Sequence, residues 1–312
     1  MAHDGDHGLL LRSMLFVPGD SEKKLAKSAQ VSADALILDL EDSVDPLRKA
    51  DARELVAAFL KRRPDCAVWV RVNAVDDPEH EADLKSVVPA RPDGIVLPKV
   101  RSPDDVIALA GRLGPLERAA GIEPASTRIL PIATETAAGV FALGGFARCG
   151  PRLAALTWGA EDLSVALGAA TNVDEHGELL PPYQLVRSLC LLAAAAAGVP
   201  ALDTVCLDLH DEERLARQAA AARRDGFAGK LAIHPAQVEV FNRTFRPHVD
   251  EIAAARRVVA AFEAARGAGV VALDGKMVDR PHLKRARRTL AVAAALAQRD
   301  GAQDSSARSK GG

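Results

Sequence analysis

Thr157-Trp-Gly-Ala-Glu-Asp-Leu163, read together with Ile132-Ala-Thr-Glu-Thr136, decides how this chain folds. Each is a short apolar run that breaks off at carboxylates, the pattern of a parallel strand whose C-terminal end opens into an active site. If the two runs are neighbouring strands, Glu135 and Asp162 stand side by side. Neither has a histidine or cysteine close by in sequence, so the pair reads as oxygen ligands for a hard divalent cation, Mg2+ first, with Mn2+ as the alternative.

The same alternation continues in both directions. Apolar runs at 14–17, 35–40, 67–72, 94–100, 128–133, 153–158, 204–209 and 229–233 read as strands, interleaved with helical patterns at 21–29, 46–61, from 103 onward, 138–147, 183–197 and 211–224. Eight such units joined by short turns predict a closed (β/α)8 TIM barrel over residues 10–249. An open dinucleotide-binding sheet would carry a GxGxxG turn after its first strand, and none is present. Gly226-Phe-Ala-Gly-Lys230 is no phosphate loop, because its lysine opens a strand instead of a helix. Residues 250–300 then predict a C-terminal helical extension and lid, too small to fold alone, and 301–312 a polar disordered tail.

A chain of 312 residues with 48% hydrophobic content can bury a large core. Its formal net charge of −2 gives no electrostatic case for nucleic acid or an anionic membrane. Cys66, Cys149, Cys190 and Cys206 form no CxxC pair, which argues against a zinc site or a disulfide framework. The start of the chain lacks the basic-then-apolar pattern of a signal peptide, and the longest apolar stretch, 189–197, is too short to cross a bilayer. A cytoplasmic protein acting on small molecules is the expectation.

In a barrel the residues that matter are the polar ones at strand ends: Asp39, Glu41, Asp42, Arg71, Asn73, Lys99, Glu135, Glu161, Asp162, Asp208 and His234. Acids dominate this set and would repel one another unless a cation offsets them. For Asp42, Glu161 and Asp208, capping of the next helix is an equal alternative. Arg71, on a strand of Val, Trp and Val, either faces a ligand or pairs with Asp39 or Glu41. His234, before Pro235, reads as a base or as a structural residue closing its strand.

Eight ordered motifs carry a family resemblance across residues 10–295. They are Leu15-Phe-Val-Pro-Gly-Asp20, Leu36-Ile-Leu-Asp-Leu-Glu-Asp42, Arg71-Val-Asn73, Leu97-Pro-Lys99, Glu135-Thr-Ala137, Gly159-Ala-Glu-Asp-Leu163, Gly226-Phe-Ala-Gly-Lys-Leu-Ala-Ile-His-Pro235 and Asp274-Gly-Lys-Met-Val-Asp279. The sequence resembles the citrate lyase beta-subunit-like branch of the HpcH/HpaI aldolase superfamily, with its malyl-CoA and citramalyl-CoA lyases. The resemblance implies a TIM barrel that binds Mg2+ through Glu135 and Asp162, and reversible cleavage of a 3-hydroxyacyl-CoA thioester into an acyl-CoA and a 2-oxo acid. It implies that Arg71 contacts the substrate oxygen, that Phe16 and Lys23 lie near the bound thioester, and that Glu135 also faces substrate. It further implies a homo-oligomer, a trimer or hexamer, in which Asp279 reaches a neighbouring subunit's site as the acid/base. Two departures stand out: Phe16 where some relatives carry Tyr, and Asp20 where Asn is common. The alternatives are a citrate lyase beta subunit acting on a carrier-bound citryl thioester, a pyruvate-type aldolase, and a non-catalytic acyl-CoA-binding barrel.

Overall fold

The computed structural model describes residues 10–209, 211–266 and 268–310. The N-terminal reading up to residue 9 and the last two residues of the expected tail lie outside them. Two compact units divide the chain, one holding Leu11–Phe245 and the other running from Arg246 onward.

In the first unit lie β1 (Ser13–Pro18), β2 (Ala35–Asp39), β3 (Ala67–Arg71), β4 (Gly94–Leu97), β5 (Arg128–Pro131), β6 (Leu156–Thr157), β7 (Ala201–Asp203) and β8 (Gly229–Ala232). Consecutive strands pair in parallel from β1 to β5 and from β6 to β8, and β1 pairs with β8. Between β5 and β6 the ring is completed by the parallel bridges Ile129–Leu153 and Ile132–Thr157, with the Ala133 N–H donating to the Thr157 carbonyl at 2.8 Å. The eight-stranded barrel is therefore observed, and the loops after β5 and β6 are adjacent. Leu36, Ile37, Leu38, Ile95, Val96 and Leu97 are fully buried, as parallel strands covered on both faces require.

Around the strands run α1 (Glu22–Ser28), α2 (Lys49–Lys61), α3 (His80–Val87), α4 (Pro103–Ala119), α5 (Ala137–Ala142), α6 (Glu161–Leu167), α7 (Pro181–Ala197), α8 (Glu212–Asp225) and α9 (Pro235–Thr244). Their starts follow local chemistry. Ser21 caps α1, Ser102 and Asp105 form a capping box on α4, and the Thr136 hydroxyl accepts the Gly139 N–H at 2.9 Å to start α5.

The seventh strand departs from expectation. It is 201–203, not 204–209, and the apolar residues of the expected run are partly solvent-facing, with Leu207 and Leu209 exposed. The sequence hides this because the strand ends on a carboxylate, Asp203, which is tolerated in the interior only because Lys230 and Arg187 neutralise it. Asp208 is accordingly a loop residue and not a strand end. Helices α3, α6 and α9, absent from the patterns read along the chain, complete the alternation.

The second unit holds α10 (Val249–Ala264), the hairpin β9 (Val270–Leu273) and β10 (Lys276–Asp279), and α11 (Arg280–Lys310). Asp274 and Gly275 both take positive φ, 51° and 73°, the two-residue turn that an Asp-Gly pair favours. α11 runs past residue 300, the expected end of the extension, and into the stretch read as a disordered tail. That stretch has three Ser and three Gly, weak helix formers, and the helix nonetheless continues to Lys310. Among the described residues no helix is long and apolar enough to cross a membrane.

Candidate active site

The strand ends from β2 to β6 bring one cluster together. Asp39 closes β2 almost fully buried, and Arg71 closes β3 beside it, its Nε and Nη2 donating to the two Asp39 oxygens at 2.7 and 2.6 Å. The register that pairs Asp39 with Arg71 makes this fork–fork contact automatic. Arg71 Nη1 lies 2.9 Å from Glu41 Oε2, yet the geometry is poor enough that this buried oxygen has no hydrogen-bond partner. The guanidinium also stands over the Phe16 ring at 4.9 Å, a cation–π contact that fixes its orientation. The ion pair left open by the sequence is thus present, and Phe16 is drawn into the same cluster.

Lys99 follows β4 with φ of 52°, a strained conformation for a non-glycine residue. Its backbone N–H donates to Glu135 Oε2 at 2.6 Å. Its ammonium hydrogen-bonds Glu41, sits 3.0 Å from Asp42 and reaches within 3.8 Å of Asp162. Gly159 is required here, because a Cβ at that position would lie 2.6 Å from Glu135 Cγ. The Gly159 N–H also donates to the Thr134 hydroxyl at 3.2 Å, tying the ends of β5 and β6.

Five carboxylates, Asp39, Glu41, Asp42, Glu135 and Asp162, thus face two cations, Arg71 and Lys99. Burial, and then the charges of Glu41 and Asp162, push Glu135 up to about 8, against the hydrogen bond from the Lys99 amide. Burial likewise raises Glu41, outweighing Arg71 and Lys99. Asp39 goes the other way: its burial is overcome by the hydrogen bond and charge of Arg71, which hold it ionised. Arg71 and Lys99 are both raised, since their carboxylate partners overcome the burial that opposes each cation.

An acid-rich pocket in which one buried carboxyl cannot easily ionise fits a divalent cation at Glu135 and Asp162. Among the described residues no group of three or more His, Cys, Asp or Glu is arranged to hold a metal. Two carboxylates are enough for Mg2+, which keeps waters and takes other oxygens from substrate.

Comparison with known proteins decides the family. The HpcH/HpaI aldolase/citrate lyase family matches residues 12–235. The citrate lyase subunit beta of Escherichia coli is 39% identical over 286 residues, covering 90% of this chain and 93% of that one. The chain belongs to the HpcH/HpaI aldolase/citrate lyase family. Another member, the (3S)-malyl-CoA thioesterase of Cereibacter sphaeroides, is 38% identical over 290 residues, 92% of this chain and 95% of its own. Among solved members, CitE from Mycobacterium tuberculosis in complex with magnesium, acetoacetate and coenzyme A matches with a TM-score of 0.74 and 32% identity, covering 93% of this chain and all of that one.

Lys23, Glu161 and His234 lie outside this set of contacts. Lys23 is exposed on α1, and no hydrogen bond or ion pair among the described residues joins it to Arg71 or Glu135. His234 caps α9, its Nδ1 accepting the Ala236 N–H at 3.2 Å. Glu161 accepts from Asn172 at 2.7 Å in the first turn of α6. Asp279 ends β10 in the second unit and hydrogen-bonds His282, which holds its carboxyl below the usual range.

Two features escaped sequence reasoning. Asp203 gathers Trp158 Nε1 at 2.8 Å, Lys230 at 3.1 Å and Arg187 at 3.1 Å, anchoring the end of β6 just before Gly159. Lys49 donates to the carbonyls of Leu40 and Glu41 and to Asn73, pinning the acidic loop after β2. A lysine inside the apolar β8 run was the one available signal for the first.

Proposed function

We propose that this chain is a Mg2+-dependent carbon–carbon lyase that cleaves, reversibly, a 3-hydroxyacyl-CoA thioester such as malyl-CoA or citramalyl-CoA into an acyl-CoA and a 2-oxo acid. The observation that carries it is the buried, reluctantly ionised Glu135 beside Asp162, with Arg71 close enough for its charge to act on Glu135. Glu135 and Asp162 would hold the metal. When bound, Mg2+ supplies Lewis acidity to the oxygen that becomes the 2-oxo acid carbonyl.

The protein's own groups do the rest. As the bond between the α and β carbons breaks, the hydroxyl passes its proton to solvent, the electron pair of that bond moves onto the acyl-CoA half, and negative charge collects on its thioester oxygen as an enolate. Arg71 is held by Asp39 through Nε and Nη2, so its Nη1 N–H groups are the ones available to that oxygen. Phe16 keeps the guanidinium plane in place. Asp279, delivered by a neighbouring copy in a homotrimer or hexamer, protonates the enolate carbon in cleavage and takes the proton back in condensation. Its partner His282 favours the ionised form, from which condensation starts. Asp279→Ala is expected to lower turnover by about 10²–10⁴-fold with Mg2+ affinity unchanged, and weakened Mg2+ binding in a titration would refute the role. Lys23, Phe16 and Glu135 would complete the substrate contacts. The four free cysteines fit work in the reducing cytoplasm.

The name of the Cereibacter relative supports a second reading, hydrolysis of the thioester to free CoA and a hydroxy diacid. That of the Escherichia coli relative supports a third, a subunit acting on a citryl thioester. Incubating the purified protein and Mg2+ with malyl-CoA, methylmalyl-CoA, citramalyl-CoA and citryl-CoA separates them. A 2-oxo acid and an acyl-CoA in equal amounts are expected from at least one. Free CoA without a 2-oxo acid would replace the lyase reading by the hydrolase, and no product from any, with or without a carrier protein, would leave a binding barrel.

A further inference from the structure

Lys99 touches both proposed metal ligands, and it does so with different parts. Its amide fixes Glu135 at 2.6 Å, while its ammonium lies 3.8 Å from Asp162. The amide contact depends on the backbone, which is held at φ of 52°, so it is a rigid feature of the loop after β4. The ammonium is at the end of a flexible four-carbon stem and already rests on Glu41 and Asp42, with Asp162 the most distant of its three carboxylates. Glu41 is buried and Asp42 is exposed, so the ammonium can move clear of Asp162 without losing these charge partners.

We infer that Lys99 is a positioning residue that acts as an internal, displaceable cation: its ammonium, resting on Glu41 and Asp42, also offsets part of the Asp162 charge in the metal-free protein and gives up Asp162, keeping its other two partners, when Asp162 takes a divalent ion. This rests on the reading of Glu135 and Asp162 as the Mg2+ ligands. The physical reason is the excess of carboxylates. Without an ion, Asp162 next to Glu135 lacks a counter-charge, and the ammonium supplies part of it. With an ion in place, an ammonium left beside Asp162 would repel it at short range through a poorly screened medium. Lys99 therefore weakens Mg2+ binding in exchange for a site that stays assembled when empty, and it limits occupancy to the time when substrate oxygens add their own affinity.

The side chain and the amide can be separated experimentally, because Lys99→Met removes the ammonium and keeps the N–H that holds Glu135. Calorimetric titration of Mg2+ into metal-free protein, with no substrate present, is the readout. Lys99→Met is expected to bind Mg2+ at least about ten-fold more tightly than wild type, and Lys99→Arg, which keeps the charge, to stay within about three-fold of it. Binding by Lys99→Met that is equal to or weaker than wild type would overturn the inference, leaving Lys99 as an ordinary structural partner of Glu41. Absence of Mg2+ binding in wild type would instead overturn the metal assignment itself, and this inference with it. Should Lys99→Met fail to fold, a crystal structure of wild type soaked in Mn2+ decides. The ammonium is expected on Glu41 and Asp42 and clear of Asp162, and an ammonium still against Asp162 with Mn2+ bound would contradict the exchange.

Discussion

Glu135→Gln is expected to abolish both Mg2+ binding and cleavage, and at the same time to make the metal-free protein more stable at alkaline pH. The sign follows from its shifted titration. The folded-state value is pushed from 4.5 up to about 8 by burial and by Glu41 and Asp162. The folded chain thus holds this proton more tightly than the unfolded chain does. The associated stability is fully present below pH 4.5 and is lost as pH rises through about 8. Above that, the buried charge costs metal-free wild type a few kcal/mol at most. A glutamine carries no such charge, and its side-chain oxygen can still accept the Lys99 N–H. Thermal unfolding in EDTA at pH 4.5 and at pH 8.5 reads the effect: the two proteins should melt together at the lower pH, and the variant should melt higher at the upper. Mg2+ added at pH 8.5 should raise wild type alone. A variant that still gains stability from Mg2+ would remove Glu135 from the ligand set.

Arg71→Lys carries the second large effect. Asp39 is 1% exposed and its two oxygens are both committed to the guanidinium. A lysine can supply one point contact but not the fork. Removing a buried partner outright costs about 3–5 kcal/mol, and the partial replacement should cost about 1–3 kcal/mol by urea unfolding. The catalytic loss should exceed what that explains. If Nη1 stabilises the enolate oxygen, kcat falls by about 10²–10³-fold in protein that is fully folded at the assay temperature, with KM little changed. Destabilisation with wild-type kcat would make Arg71 a structural partner of Asp39 and nothing more.

The barrel was legible because its strands are buried on both faces and so read as unbroken apolar runs, and because its helices announce themselves with Ser102-Pro103 and Thr136 caps. The site was legible for the same reason: a parallel strand ends where charge begins, which put Asp39, Arg71, Lys99 and Glu135 on one rim. The seventh strand was misplaced although it obeys that rule, ending at Asp203. Asp203 looked like the end of nothing, since its compensating partners, Lys230 and Arg187, lie 27 and 16 residues away. Long-range neutralisation leaves no local mark. The positive φ of Lys99 is equally silent in sequence, so the residue's double hold on Glu135 and Asp162 emerged only from the coordinates. Asp279 shows a third limit: its motif was visible, while its partner His282, one turn into α11, was not singled out.

Carbon–carbon cleavage with protonation of an enolate is the central claim, and one mass spectrum tests it. Malyl-CoA is incubated with the protein and Mg2+ in D2O, and the CoA-containing product is weighed. The expected product is acetyl-CoA carrying one deuterium on its methyl carbon, formed together with glyoxylate. Free CoA accompanied by unlabelled malate would contradict the claim, because it would mean that the thioester was hydrolysed and no enolate was formed.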